Sequence, residues 1–529
     1  MARNQTNFRI LLFTFYFLLF TFYIGCTSIT EQGELNEPYY GQNYGQVTIF
    51  LNGPDKTSQD ITFVLMAVNI MSEDGTYREI MSTPLDINSV SMTGRQVLFG
   101  ERTLPEGRYK KLQFILKDAL IKRKDSTANL ALPPEGIDVA IDIAVNGNQN
   151  TSLFLKWDVD ASTVDGYLFK PVFAVKGKVP ELSTLLIYVT NEGSNNVSVI
   201  NRQSGEVVAT VLVGKRPRGI ATSLNKERPR VYVVNSGSNS VSVIEPTTNK
   251  VENEIPIRYG REPEGIAVAR ISSEKELIFV TNYGSNTVSV IDPLTQQEIE
   301  KIDAGSGPVA VAVEPPVETL SGTRFLSFTD VNLLKSYRER FLNAYVVNKN
   351  SKNVSVLRMD ILRGRLEDII NVNVEWNPIA LDVDYQRAKV YVANYNFDNL
   401  SVIDILQIVK GNKTGAVNAI INVGTHITGV ITDPDFDRIY LLKEFPGEIM
   451  IIRPFSEDFG TLKEAMVPIM GTIPVGSSPR SFISDPEGRK LYVVNRGSNA
   501  VSVVDKTTKR EEKVIPVGKK PYGIAMFPF

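Results

Sequence analysis

The chain has 529 residues, is 43% hydrophobic with 37 glycines, and carries a formal charge of −2. That apolar content is globular, and the near-neutral balance excludes the basic footprint of a nucleic-acid binder. One cysteine (Cys26) and one histidine (His426) exclude an intrachain disulfide, zinc ribbons, iron–sulfur clusters, attached haem and His-rich metal sites, and leave at most one His-centred catalytic site. No cofactor is expected.

Residues 10–24 read ILLFTFYFLLFTFYI, preceded by Arg3 and Arg9 and by no acid. Fifteen residues are marginal for a ~30 Å hydrocarbon core, and a basic start, apolar middle and small end form the secretory signal pattern. Tyr23-Ile24-Gly25-Cys26 follows. It resembles the lipobox of bacterial lipoproteins, with Gly25 and Cys26 matching and Tyr23 departing from the usual Leu. The resemblance implies a signal peptide over 1–25 and lipidation of Cys26, with membrane lipid as a partner through that residue. The body would then be lipid-anchored in the cell envelope, facing periplasm or exterior. Thr27 is not Asp, which in a diderm cell favours the outer membrane. Residues 26–46 are polar and aperiodic, and read as the lipidated Cys and a tether.

From 47 to 180 short strand-like runs alternate with Gly/Pro turns: VTIFL (47–51), ITFVLMAVNIM (61–71), LQFIL (112–116), VAIDIAV (139–145), SLFLKWDVD (152–160) and YLFKPVFAV (167–175). This spacing predicts an antiparallel β-sandwich. LNGPD (51–55), LPEGRYKKLQFIL (104–116), LPPEG (132–136) and FLKWDVDASTVDGYLFKPVFAV (154–175) resemble a lipoprotein-associated domain family of unknown function. Asp158, Asp160, Ser162 and Asp165 suggest a calcium loop. Thr163 stands where an EF-hand needs Gly and Phe169 where it needs Glu, so a strand-end turn is expected and no metal.

IYVTNEGSNNVSVI (187–200) then recurs at 231, 278, 344, 390 and 491, with a degenerate copy, IYLLKEFPGEIMII, at 439. Each repeat parses into an aromatic strand, an Asn-x-Gly-Ser-Asn turn, a VSVI strand, a third strand, and a short GIA-type strand after a Pro. Periods near 40–50 with several strands each mark propeller blades. The series opens on an aromatic strand and closes on a GIA strand, GIAMF (523–527). This predicts a seven-bladed all-β propeller over 185–529, four strands per blade, closed by the C-terminal strand. The repeats resemble the YVTN-family β-propellers. The Asn of each repeat (Asn191, Asn235, Asn282, Asn348, Asn394, Asn495) is expected to build the blade. Lys443 and Glu444 replace the pattern in the degenerate copy.

Loops entering the GIA strands should ring one mouth of the channel. They carry Lys215, Arg216, Arg218, Arg261, Arg480, Lys519 and Lys520 against Glu262, Glu264 and Glu375, with Trp376, His426 and Tyr522 on the same rim. This rim is the candidate site for an anionic or polysaccharide ligand or an envelope protein. His426 is the lone possible general base, without a local nucleophile. An insertion over 314–343 should form a short helix on the opposite face. Leu333, Leu334, Tyr337 and Phe341 lie on one side of it, to pack on the blade or dock a partner, and Asp330 caps it.

The expected function is a non-catalytic, membrane-anchored binding or scaffolding protein. One alternative is a lactonase-like hydrolase using Arg218, Glu264, His426 and Arg480. The other is an accessory subunit of a periplasmic redox enzyme.

Overall fold

The fold is that of a computed structural model describing residues 43–124, 126–177, 182–272, 275–397, 399–412, 415–455 and 467–529. The apolar segment 10–24, the lipobox with Cys26, and the tether up to residue 42 lie outside the described residues. Among the described residues no helix is long and apolar enough to cross a membrane.

Two sheets come first. One orders Val172–Val175, Asn150–Asp158, Tyr44–Asn52 and Gln96–Pro105. The other orders Tyr77–Met81, Asp60–Ser72, Gly107–Arg123 and Ser126–Asn129, with Leu85–Asn88 on the second of these and Ile137–Val145 on the third. Both feed one core, in which Val47, Ile49, Leu155 and Trp157 meet Phe63, Leu65, Leu112 and Phe114. The pairing is not antiparallel throughout, as the sequence led us to expect: Tyr44–Asn52 runs parallel to Asn150–Asp158. A parallel pair needs a long crossover, and the intervening strands of both sheets provide it. The Asp158 segment is a turn: Asp158 Oδ1 accepts from the Ala161 N–H at 3.1 Å, and Trp157 Nε1 donates to Ser162 Oγ at 3.0 Å.

Seven four-stranded antiparallel sheets follow among the described residues. The innermost strand of sheet 1 is Pro521–Met526. Those of sheets 2 to 7 are Pro217–Thr222, Pro263–Arg270, Pro308–Val313, Pro378–Asp384, Ile427–Asp433 and Pro479–Ser484. Each innermost strand touches the next, and Pro521–Met526 touches Pro217–Thr222, so the circuit closes as in a β-propeller. Pro521–Met526 pairs antiparallel with Leu186–Asn191, joining the two ends of the repeat region in sheet 1. Neighbouring inner strands lie so close that a Cβ on Gly523 would sit 2.4 Å from the Arg218 carbonyl oxygen. Glycine is therefore required there.

The repeat motif has two physical jobs. Its first Asn is fully buried and ties the hairpin: Asn235 Nδ2 donates to Ser240 Oγ at 3.1 Å and Ser242 Oγ at 2.8 Å, and Asn191, Asn282, Asn348 and Asn394 make the matching pairs of bonds. Its second Asn, not the glycine between, takes the left-handed conformation, with φ of 53° at Asn195, 52° at Asn239, 59° at Asn286 and 51° at Asn499. Each of these accepts at 2.8 Å from a backbone N–H of the following loop, at Arg216, Glu262, Gly307 and Lys520.

The insertion forms the helix Phe328–Arg338. Ser327, rather than Asp330, is its N-cap, accepting from the Asp330 N–H at 3.1 Å and donating to Asp330 Oδ2 at 2.7 Å. Leu334 is fully buried with Leu320, Tyr345 and Tyr385. Tyr337 donates to Asn343 Oδ1 at 2.8 Å, accepts from Arg358 Nε at 3.0 Å and packs on Phe341. Leu334 is thus unavailable to a partner, while Leu333 is half-buried beside it.

The first unit covers one sheet edge of the ring. The outer strand of sheet 1, Glu206–Leu212, gives the Val207 N–H to Gln96 Oε1 at 2.9 Å and the Thr210 N–H to Ser152 Oγ at 3.0 Å. Gln96 Nε2 returns a bond to the Val207 carbonyl at 3.1 Å. Phe50 and Phe154 stack at 5.4 Å and join Ile187, Val189 and Val207 in a shared core.

Candidate functional site

The inner strands begin at one mouth of the ring, and their first side chains after the Pro, or after Ile427 in sheet 6, differ sheet by sheet: Tyr522, Arg218, Glu264, Val309, Ile379, Thr428 and Arg480 in sheets 1 to 7. A second set follows the motif's first Asn, or Lys443 in sheet 6: Glu192, Ser236, Tyr283, Lys349, Tyr395, Glu444 and Arg496.

These sets form one polar web across sheets 7, 1, 2 and 3. Glu192, 8% exposed, accepts from Arg218 at 2.8 Å and Arg496 at 2.6 Å, with Arg216 at 3.5 Å. Arg218 also pairs with Glu264, which is 7% exposed and accepts from the Tyr522 hydroxyl at 3.2 Å. Arg480 Nη2 donates to Tyr522 Oη at 2.6 Å. The Tyr522 ring lies 4.6 Å from the Arg480 guanidinium carbon and 5.3 Å from that of Arg218. Burial pushes the Tyr522 phenol up, but Arg480 and Arg218 outweigh it and hold the group below its ordinary value. Burial likewise raises the Glu192 carboxyl, and Arg496 and Arg218 overcome it, leaving it below its ordinary 4.5.

On sheets 5 and 6 the mouth is aromatic. The His426 ring stands edge-on to Tyr395 at 5.3 Å and to Phe445 at 5.5 Å, and its Nδ1 is 2.9 Å from Thr425 Oγ1. Tyr395 donates to Glu444, and burial and that carboxylate together push its phenol up to about 12.

Of the rim residues expected from sequence, Arg216, Arg218, Glu264, Arg480 and Tyr522 come together. Lys215, Arg261 and Lys519 lie in the loops and donate backbone N–H groups to Ser238, Ser285 and Ser194 at 3.1, 3.1 and 2.7 Å. Trp376, 55% exposed, carries the Lys352 ammonium over its ring, away from the web. Sequence reasoning missed Glu192, Tyr395 and Arg496, and named Glu444 only as a departure from the repeat. Their signal was variability at one fixed position beside a repeated Asn. A separate cleft of about 1110 Å³ separates Gln96–Pro105 from Val514 and Pro516 of sheet 7 and from Lys519 of the loop that follows. Among the described residues no group of three His, Cys, Asp or Glu side chains could hold a metal ion.

No family model matches the chain, and no curated protein matches it. Among solved structures it is similar to a functionally unknown protein from Desulfotomaculum acetoxidans, with TM-score 0.49 and 10% identity, covering 65% of this chain and 98% of that one. Hydrazine synthase from Kuenenia stuttgartiensis gives TM-score 0.47 at 18% identity, over 61% of this chain and 93% of that one. A candidate 6-phosphogluconolactonase from Bacteroides uniformis gives 0.48 at 15% identity, over 65% and 99%.

Proposed function

We propose that the chain is an exported, lipid-anchored envelope protein of the YVTN type, in which a β-sandwich supports a seven-bladed propeller that binds a ligand or partner at its mouth without catalysis. One observation carries the binding role. The residue before each inner strand's second side chain, counted two back, is left-handed in all seven loops, yet it is Arg216, Glu262, Gly307, Asn377, His426, Ser478 or Lys520. One backbone thus presents six unrelated side chains and one glycine at a common rim, as in a recognition face. The lone histidine, a candidate base of the lactonase-like reading, is held by Thr425 and two aromatic rings rather than by a carboxylate.

Membrane fractionation of wild type and Cys26→Ala tests the anchor: the wild type should sediment with membranes and the variant should be released. A variant that still sediments removes the lipoprotein reading. A lactone-hydrolysis assay tests the rest. Wild type and His426→Ala should both run at the uncatalysed rate, and a wild-type rate lost on mutation would make the protein an enzyme.

A further inference from the structure

The charges at the mouth narrow the ligand's chemistry. In the web, four guanidiniums (Arg216, Arg218, Arg480, Arg496) meet two carboxylates (Glu192, Glu264). Glu444 takes the Tyr395 hydroxyl and lies within the field of Arg480, which leaves one of the four guanidiniums in excess, while Lys349 stands on sheet 4 at the position matching Arg496. The guanidinium in excess is Arg480. Among the described residues no carboxylate lies within 4 Å of its guanidinium, and its one side-chain hydrogen bond goes to a phenol. A guanidinium has five N–H donors, so most of this fork is unused. Holding such a group partly out of water costs free energy that a bound anion would offset.

The far side of the mouth is unlike this. The positions matching Arg480 and Tyr522 are Val309, Ile379 and Thr428 on sheets 4 to 6; those matching Arg496 are Tyr283 on sheet 3, Lys349 on sheet 4, Tyr395 on sheet 5 and Glu444 on sheet 6, with the His426 ring between Tyr395 and Phe445. A ligand filling the mouth therefore meets the Arg480 fork on sheet 7 and apolar and aromatic surface on sheets 5 and 6. We propose that the propeller mouth binds a small organic carboxylate, its carboxylate paired with Arg480 and its uncharged body toward sheets 5 and 6. The planar fork of Arg480 suits bidentate pairing with a carboxylate, and the apolar surface beside it suits a ligand with an uncharged body. This rests on the mouth being a binding face.

Calorimetric titration of the purified full chain tests it with three probes: 3-phenylpropionate, the neutral 3-phenylpropanol, and inorganic phosphate. The carboxylate should bind, and the alcohol and phosphate should bind at least about tenfold more weakly. Arg480→Gln should lose about tenfold for the carboxylate and nothing for the alcohol, while Arg363→Gln, on the opposite face, should match wild type. Should Arg480→Gln misfold, the wild type still decides. Carboxylate binding should raise the pH at which the Tyr522 phenol ionises, read as the tyrosinate absorbance difference between wild type and Tyr522→Phe. No binding of the carboxylate, equal binding of the alcohol or of phosphate, or an unmoved Tyr522 titration would overturn the proposal. If membrane release of Cys26→Ala and the absence of lactone turnover hold while the carboxylate fails, only the ligand assignment falls.

Discussion

Sheet 1 and the other six sheets share one strand plan and differ in how they are held. Sheets 2 to 7 are each built from one continuous stretch of chain, whereas sheet 1 joins Leu186–Leu212 to the last strand. Their outer edges differ too. The open outer strands of sheets 2, 3, 4 and 7 read KVENEIP, QEIEKID, RLEDIINVN and REEKVIP, with charges facing water. The outer strand of sheet 1 reads EVVATVL, and its N–H groups are taken by Gln96 and Ser152. Charge on an edge strand protects it from pairing with another chain, and an edge covered from within does not need it. Sheets 5 and 6 carry the uncharged VNAIIN and IMGTIP at this place, so charge guards four of the six other outer strands, and on sheet 1 the first unit takes that role.

The strongest way to break this contrast is to delete residues 521–529. Sheet 1 would lose its inner strand and the ring its closure, so the expected loss is comparable to a whole ~5–15 kcal/mol domain stability. Chemical denaturation should show no cooperative ring transition. Next, Val207→Glu would place a charge in the covered edge beside Phe50 and Phe154. It should cost about 3–5 kcal/mol and leave the two units unfolding separately in calorimetry, whereas Gln96→Ala should cost only about 1–3 kcal/mol. Third, Glu192→Gln leaves Arg216, Arg218 and Arg496 without their shared carboxylate. About 2 kcal/mol is expected, less than for a fully buried pair because two of the three arginines reach solvent. Because the folded carboxyl titrates below its ordinary 4.5, its stabilisation is complete above that value and fades as pH falls through the lower folded one. Wild type should lose stability over that acid window and Glu192→Gln should lose less, as measured by urea midpoints against pH. The smallest effect is at an open edge. Glu511→Val, at an exposed position on the outer strand of sheet 7, should change stability by no more than about 0.5 kcal/mol yet raise light scattering on concentration.

The strand plan of the ring was readable because six of the seven copies keep the buried Asn that ties the hairpin, and it leaves a mark in sequence each time it is used. The first unit has no such repetition. Nothing in VTIFL or SLFLKWDVD tells a parallel from an antiparallel neighbour, since both strands are buried on both faces. The edge cap was invisible for a related reason, because Gln96 and Ser152 are single polar residues that act across 111 and 58 residues of chain. At the mouth, charged loop residues were easy to find and their partners were not. Glu192 and Arg496 sit inside the motif, where repetition draws attention to the constant neighbours.

The seven left-handed loop residues have a consequence for how such a surface changes over time. A non-glycine residue held there costs on the order of 1 kcal/mol, and in four loops a preceding Asn carboxamide accepts its N–H. The support comes from the neighbouring turn and owes nothing to the side chain displayed. These positions are interchangeable sockets. Arginine, glutamate or histidine can be exchanged in one without re-solving the fold, so the chemistry of the mouth can drift or be redesigned loop by loop while the ring beneath it stays the same.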